Sequence, residues 1–151
     1  MDAAKVVAEL RRLEPNAKPS DVYFTATTEQ RFRSRAILQA ERKAAQGGAP
    51  AYMYFFAWDT PVDGGRWKSP HSVEHAMVFD NVAKSASMVG TGPDAQKVAD
   101  AVSSTWIRFA RTGDPGWAPY TPQKRTTMVF DVQSKVVDDP RPEMRALFRA
   151  A

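Results

Sequence analysis

A chain of 151 residues with 43% hydrophobic and 25% charged content has the composition of one packed domain, or of a piece of a larger one, and not of a disordered segment. The absence of cysteine excludes disulfides, thiolate catalysis and cysteine-ligated zinc. The net charge of +4 is spread over interspersed acids and bases with no run of five or six like charges, so nucleic acid is not an expected partner.

Met1 to Pro15 has no apolar core of signal-peptide length, and no eighteen-residue apolar run occurs. A soluble protein without a membrane partner is expected, with the cytoplasm the favoured compartment. Ala3 to Leu13 sets Val6, Val7, Leu10 and Leu13 at helical spacing behind Asp2 as N-cap. Pro15 and Pro19 interrupt the pattern, and Ser20-Asp21 opens a second helical region to about Gln46, stopped by Gly47-Gly48. Ala49 to Trp58, APAYMYFFAW, is apolar without alternation, the pattern of a strand covered on both faces in a parallel sheet.

Asp59 to Lys68 has loop chemistry, and a short helix or turn is expected from Glu74 to Val82. Asp94 opens a long helix to about Arg111, in which Val98, Val102, Trp106 and Phe109 form one apolar stripe. Thr112 to Gly116 ends it. Arg125 to Val132 has the composition of an edge strand, and Pro140-Arg141-Pro142 leads into a helix from Glu143 to Arg149. One strong strand and one marginal strand do not make a complete α/β sheet. The strands therefore pair with something outside this chain, or the chain self-associates through Ala49 to Trp58, which is expected to lack parallel neighbours and to expose apolar surface.

Lys68 to Asn81, KSPHSVEHAMVFDN, holds both histidines. His71-Ser-Val-Glu74-His75 formally matches His-x-x-Glu-His, in which two histidines on one helix face bind zinc and the glutamate serves as base. A third ligand would come from Asp94, Asp100 or Glu143. The plainest reading makes both histidines ordinary surface or capping residues. A third rests on position: catalytic groups gather at the carboxyl ends of strands in open α/β sheets, and His71 follows such a strand by one loop. That layout suits the histidine of a Ser–acid–His hydrolase, whose triad members follow in that chain order.

An ordered set of segments then carries a resemblance. Asp21-Val-Tyr through Thr28-Glu-Gln-Arg-Phe32, Pro50-Ala-Tyr-Met-Tyr-Phe-Phe56, His71-Ser-Val-Glu74 with Val78-Phe79, and Trp106-Ile-Arg-Phe109-Ala110-Arg-Thr-Gly113-Asp-Pro115 stand in this order, continued by Trp117-Ala-Pro119-Tyr120 and Met128-Val-Phe130. From Asp21 onward the chain resembles the C-terminal portion of the type B carboxylesterases, the family of para-nitrobenzyl esterases and cholinesterases. It departs from the family pattern at Glu29, where Asp is usual, and at Ser72 and Asp80, where Gly is usual. Lys68-Ser69-Pro70 also replaces a common Gly-Ala before the histidine.

The resemblance implies an α/β fold, namely the C-terminal part of an α/β-hydrolase: last core strand, histidine loop, closing helices and an edge strand. Residues 1–151 would form the C-terminal segment of a single type B carboxylesterase domain whose nucleophile-bearing part lies upstream, outside this chain. It makes His71 the general base of the triad and Glu74 a support for its loop, with His75 a bystander, no cofactor and no metal. Phe55, Phe56, Trp58 and Trp67 are assigned to core and loop packing. No serine here stands in Gly-x-Ser-x-Gly and no His-Gly-Gly-Gly segment is present, so the chain alone is expected to be inactive towards esters. Its expected partners are an ester substrate in the complete enzyme and an upstream hydrolase fragment. A zinc hydrolase using His71, Glu74 and His75, and a non-catalytic interaction module, are the alternatives.

Overall fold

The computed structural model describes residues 2–149. Helix α1 (Ala3–Leu13) starts on Asp2, whose carboxylate accepts from the Ala4 N–H at 2.9 Å. Helix α2 (Pro19–Thr28) takes Pro19 at its first turn, where a missing N–H carries no penalty, so Pro19 begins the helix and does not break it. A π-helical turn (Glu29–Arg33) follows without a gap and runs into α3 (Ser34–Ala45), making the expected single helical region three joined pieces.

The sheet has three strands in the order β1 (Met53–Phe56), β2 (Thr126–Phe130), β3 (Lys135–Asp138). β1 and β2 are parallel, in register Met53 with Thr127 through Phe56 with Phe130. β2 and β3 are antiparallel, joined by a short turn. Three expectations change here. β1 is four residues long, not ten, and is half-buried. It does have a parallel neighbour, β2. That strand, expected at an edge, is central because Lys135–Asp138 pairs along its other side. Exposed Lys135, Val136 and Asp138 gave that third strand no buried face to declare itself by.

Between β1 and β2 come α4 (Val73–Val78), a 3-10 turn (Val82–Ser85), α5 (Ala86–Val89) and α6 (Pro93–Thr112). Gly113, at φ +73°, caps α6 by donating to the Phe109 carbonyl at 2.8 Å. One core gathers Trp58, Val73, Ala76, Met77, Val89, Val98, Val102 and Phe130 against the sheet. The α6 stripe divides in two: Val98 and Val102 are buried, whereas Trp106 and Phe109 are more than 40% exposed beside β1. A second core joins Val6, Leu10 and Val22 to Met144 and Phe148 of α7 (Pro142–Phe148). Among the described residues no helix is long and apolar enough to cross a membrane.

A charged network borders the second core. Glu29 is 1% exposed and pairs with Arg33 at 2.9 Å; its other oxygen lies 3.6 Å from Arg141, which also binds Glu14 at 2.6 Å. Arg33 donates as well to the Pro140 carbonyl. The network ties α1, the π turn and the entry to α7.

Candidate active site

The loop after β1 brings the chain round to His71, and the ring's surroundings fix its place. The Arg33 guanidinium lies 5.6 Å from the centroid of the Phe55 ring, which seats the π turn over the carboxyl half of β1. Phe32, on that same turn, stacks on His71 with centroids 6.4 Å apart and planes 25° from parallel. His71 therefore stands, exposed, on the carboxyl-end side of a parallel strand, where α/β sheets collect catalytic groups. A π turn is a common device for re-aiming a residue at a functional site, and here it presents Phe32 to the imidazole.

His71 is held from its C-terminal side. Ser72 is left-handed, at φ +71° and ψ +1°, and α4 begins immediately after it. Val73, Ala76 and Met77 anchor that helix in the core, at 1%, 6% and 0% exposure. Glu74 is half-buried in the first turn of α4, where a carboxylate is favoured by the helix dipole. Its charge also reaches Tyr54 of β1, whose phenol is pushed up first by burial and then by Glu74.

The zinc geometry does not form. It requires His71 and His75 one turn apart on a single helix, but the left-handed Ser72 puts His71 outside α4. Among the described residues no three His, Asp or Glu side chains come together as a metal-holding group. Asp100 instead accepts from Gln96, which also donates to Asp80, and Glu143 belongs to α7 at the second core.

A model of the carboxylesterase family matches residues 11–148. The chain belongs to the carboxylesterase family. It is 30% identical over 104 residues to the para-nitrobenzyl esterase of Bacillus subtilis (strain 168), a match covering 64% of this chain and 21% of that protein. Among solved structures, a carboxylesterase of Geobacillus stearothermophilus superposes with a TM-score of 0.74 at 31% identity, over 95% of this chain and 31% of that one. A para-nitrobenzyl esterase structure gives the same TM-score at 24% identity, over 100% and 34%, and so speaks for the fold alone. The chain thus has the C-terminal part of an α/β-hydrolase fold, and it spans about a fifth to a third of these relatives.

Within this carboxylesterase segment, the sequence departures at Ser72 and Asp80 acquire a physical meaning. Both residues have positive φ, +71° and +50°, the region that glycine enters freely and other residues do not. Both positions thus have a backbone that suits glycine, the residue the resemblance leads one to expect there, with a side chain in its place. Trp58 is a core residue as expected, while Trp67 is 44% exposed and packs locally, donating to Asp63 at 2.8 Å with Arg66 over its ring. Phe32 and Tyr54, the nearest aromatic and a phenol coupled to Glu74, were not singled out from the sequence. Nothing local marks them, because the π turn and the β1 pairing that place them are tertiary facts.

Proposed function

We propose that this chain supplies the triad histidine of a carboxylic-ester hydrolase, with His71 as general base and Glu74 as support of its loop. His71 would take the proton of a serine as its oxygen attacks the ester carbonyl, then deliver that proton to the departing alcohol. An imidazole suits both steps because its ordinary pKa, about 6.5, lets it accept and donate near neutral pH. The observation that carries this reading is the exposed His71 beside the carboxyl end of β1 within a carboxylesterase-family segment. The serine, the acid that orients the imidazole and the oxyanion donors are assigned to a preceding part of the hydrolase domain, and the 151 residues alone are proposed to be inactive.

The test is a chimera in which this chain replaces the matching C-terminal segment of the Bacillus subtilis para-nitrobenzyl esterase. Hydrolysis of a chromogenic short-chain ester should fall by about 10³-fold or more on His71→Ala and persist on His75→Ala. Activity indifferent to His71, or lost with His75, would sink the assignment. For the chain alone, turnover that disappears with His71→Ala would refute its inactivity.

A further inference from the structure

The backbone around His71 is held by its own turns. The Val73 N–H donates to the Pro70 carbonyl at 3.1 Å and the His75 N–H to the Ser72 carbonyl at 3.1 Å, so one turn encloses the residue and a second follows it. Val73, Ala76 and Met77, buried in the core, hold α4 behind them. What those bonds leave free is the ring, which turns about its own side-chain torsions. The side chain that meets it is Phe32, with centroids 6.4 Å apart and planes 25° from parallel, inside the range of attractive offset stacking.

Phe32 is itself firmly placed. Its neighbour Arg33 is anchored three ways: on Glu29 at 2.9 Å, on the Pro140 carbonyl, and over the Phe55 ring of β1 at 5.6 Å. These anchors tie the π turn to the approach to α7 and to the sheet at once. A π turn closes over one residue more than an α-helical turn, which swings side chains round the axis from where a regular helix would aim them. That swing falls on the turn that carries Phe32.

We infer that Phe32 is a positioning residue for His71, holding the plane of the imidazole during proton transfer. The role rests on the reading of His71 as the triad base. Such a base must keep one ring nitrogen within about 2.6–3.2 Å of each oxygen it serves. The acid that orients the ring at its other nitrogen fixes one point of it. A ring held at one point still tilts about that hydrogen bond. A flat aromatic face lying against the imidazole opposes the tilt, because tilting gives up ring-to-ring contact on one side and drives atoms together on the other. The acid thus restrains the ring along a bond, and Phe32 restrains it across its plane. Both stacked rings belong to this chain, so the contact is made whatever covers their outer faces.

The test uses the chimera with the Bacillus subtilis esterase. For a chromogenic acetate ester, kcat is expected to fall about 10–10²-fold in Phe32→Leu, which keeps apolar bulk and loses the flat face. KM should stay close to that of the parent chimera, and Phe32→Tyr should largely restore kcat. The order of preference among acetate, butyrate and hexanoate esters should not change. A shifted KM and a changed acyl preference with kcat intact would make Phe32 a wall of the substrate site and overturn the positioning role. Activity that needs His71 but is indifferent to Phe32→Leu would sink that role alone, whereas activity indifferent to His71→Ala would sink the triad reading and this role with it. A second measurement uses the chain by itself with isotope-labelled histidine. The His71 ring protons should move downfield in Phe32→Leu as the ring current of Phe32 is lost, with the backbone amide spectrum otherwise kept, which shows that the variant is folded. Ring protons that did not move would mean that the two rings are not stacked in solution, and the role would fall.

Discussion

Ser72 holds its left-handed backbone at a position that fixes both the imidazole of His71 and the start of α4. An ordinary L-residue there costs about 1–2 kcal/mol, and glycine's added freedom in the unfolded chain returns about 0.5–1 kcal/mol of that. Ser72→Gly is therefore expected to stabilise the chain by about 0.5–1 kcal/mol, raising the melting midpoint by about 1–4 °C. Asp80 differs although its φ is also positive: aspartate tolerates this region, and its carboxylate accepts from Gln96 at 2.7 Å. Asp80→Gly should leave the midpoint unchanged or lower it, and equal gains from the two substitutions would contradict the argument. The tyrosines give a pH signature at the same scale. Tyr54 and Tyr120 are both raised above the ordinary phenol value, chiefly by burial, with Glu74 and Glu41 respectively adding to it. Above about pH 10 the unfolded chain loses these protons before the folded chain does, so stability falls as pH rises through that range. Urea midpoints measured from pH 9 to 11 should decline less steeply in Tyr54→Phe and Tyr120→Phe than in the parent.

The charged network beside the second core makes its own demand on the helices it joins. Glu29 and Arg33 have side chains only 2% and 10% exposed, so removing one partner strands the other away from water. Glu29→Ala is expected to destabilise by about 3–5 kcal/mol, whereas Glu29→Met combined with Arg33→Met should cost much less, because an apolar pair leaves no uncompensated charge. Urea denaturation of the three proteins decides this, and a double variant as unstable as the single would show that Arg33 acts mainly through its bond to Pro140. Most elements of this kind were legible in the sequence. Helical spacing at Val6 and Leu10 and the glycine stop at Gly113 located α1 and α6 to within a residue or two. The π turn was not, since Glu29 to Arg33 carries an ordinary helical composition and only the fold buries Glu29. The loop that carries His71 was legible as a loop after an apolar run, but Phe32, which stacks on His71, lies 39 positions earlier and has no local mark.

At the scale of the whole molecule, the ten-residue apolar run forms four residues of strand, paired along one edge by β2. The run reads as a strand covered on both faces, and within the described chain its four strand residues are only half-buried. For the chain taken alone, the cationic residues Arg35, Arg42 and Lys43 beside β1 are expected to oppose pairing of this surface with its own copy. That restraint depends on salt. The Debye length shrinks from about 30 Å at 0.01 M ionic strength to about 3 Å at 1 M, while apolar attraction is undiminished. Sedimentation velocity should therefore find the chain mostly monomeric in dilute buffer and increasingly associated as sodium chloride approaches molar concentration. Charge reversal on one member of a mixture, Arg35→Glu with Arg42→Glu and Lys43→Glu, should instead yield a heterodimer with the parent chain at low salt that dissociates as salt is added. Association of the parent that weakened with added salt would mean that ion pairs, and not the apolar edge of β1, hold the copies together.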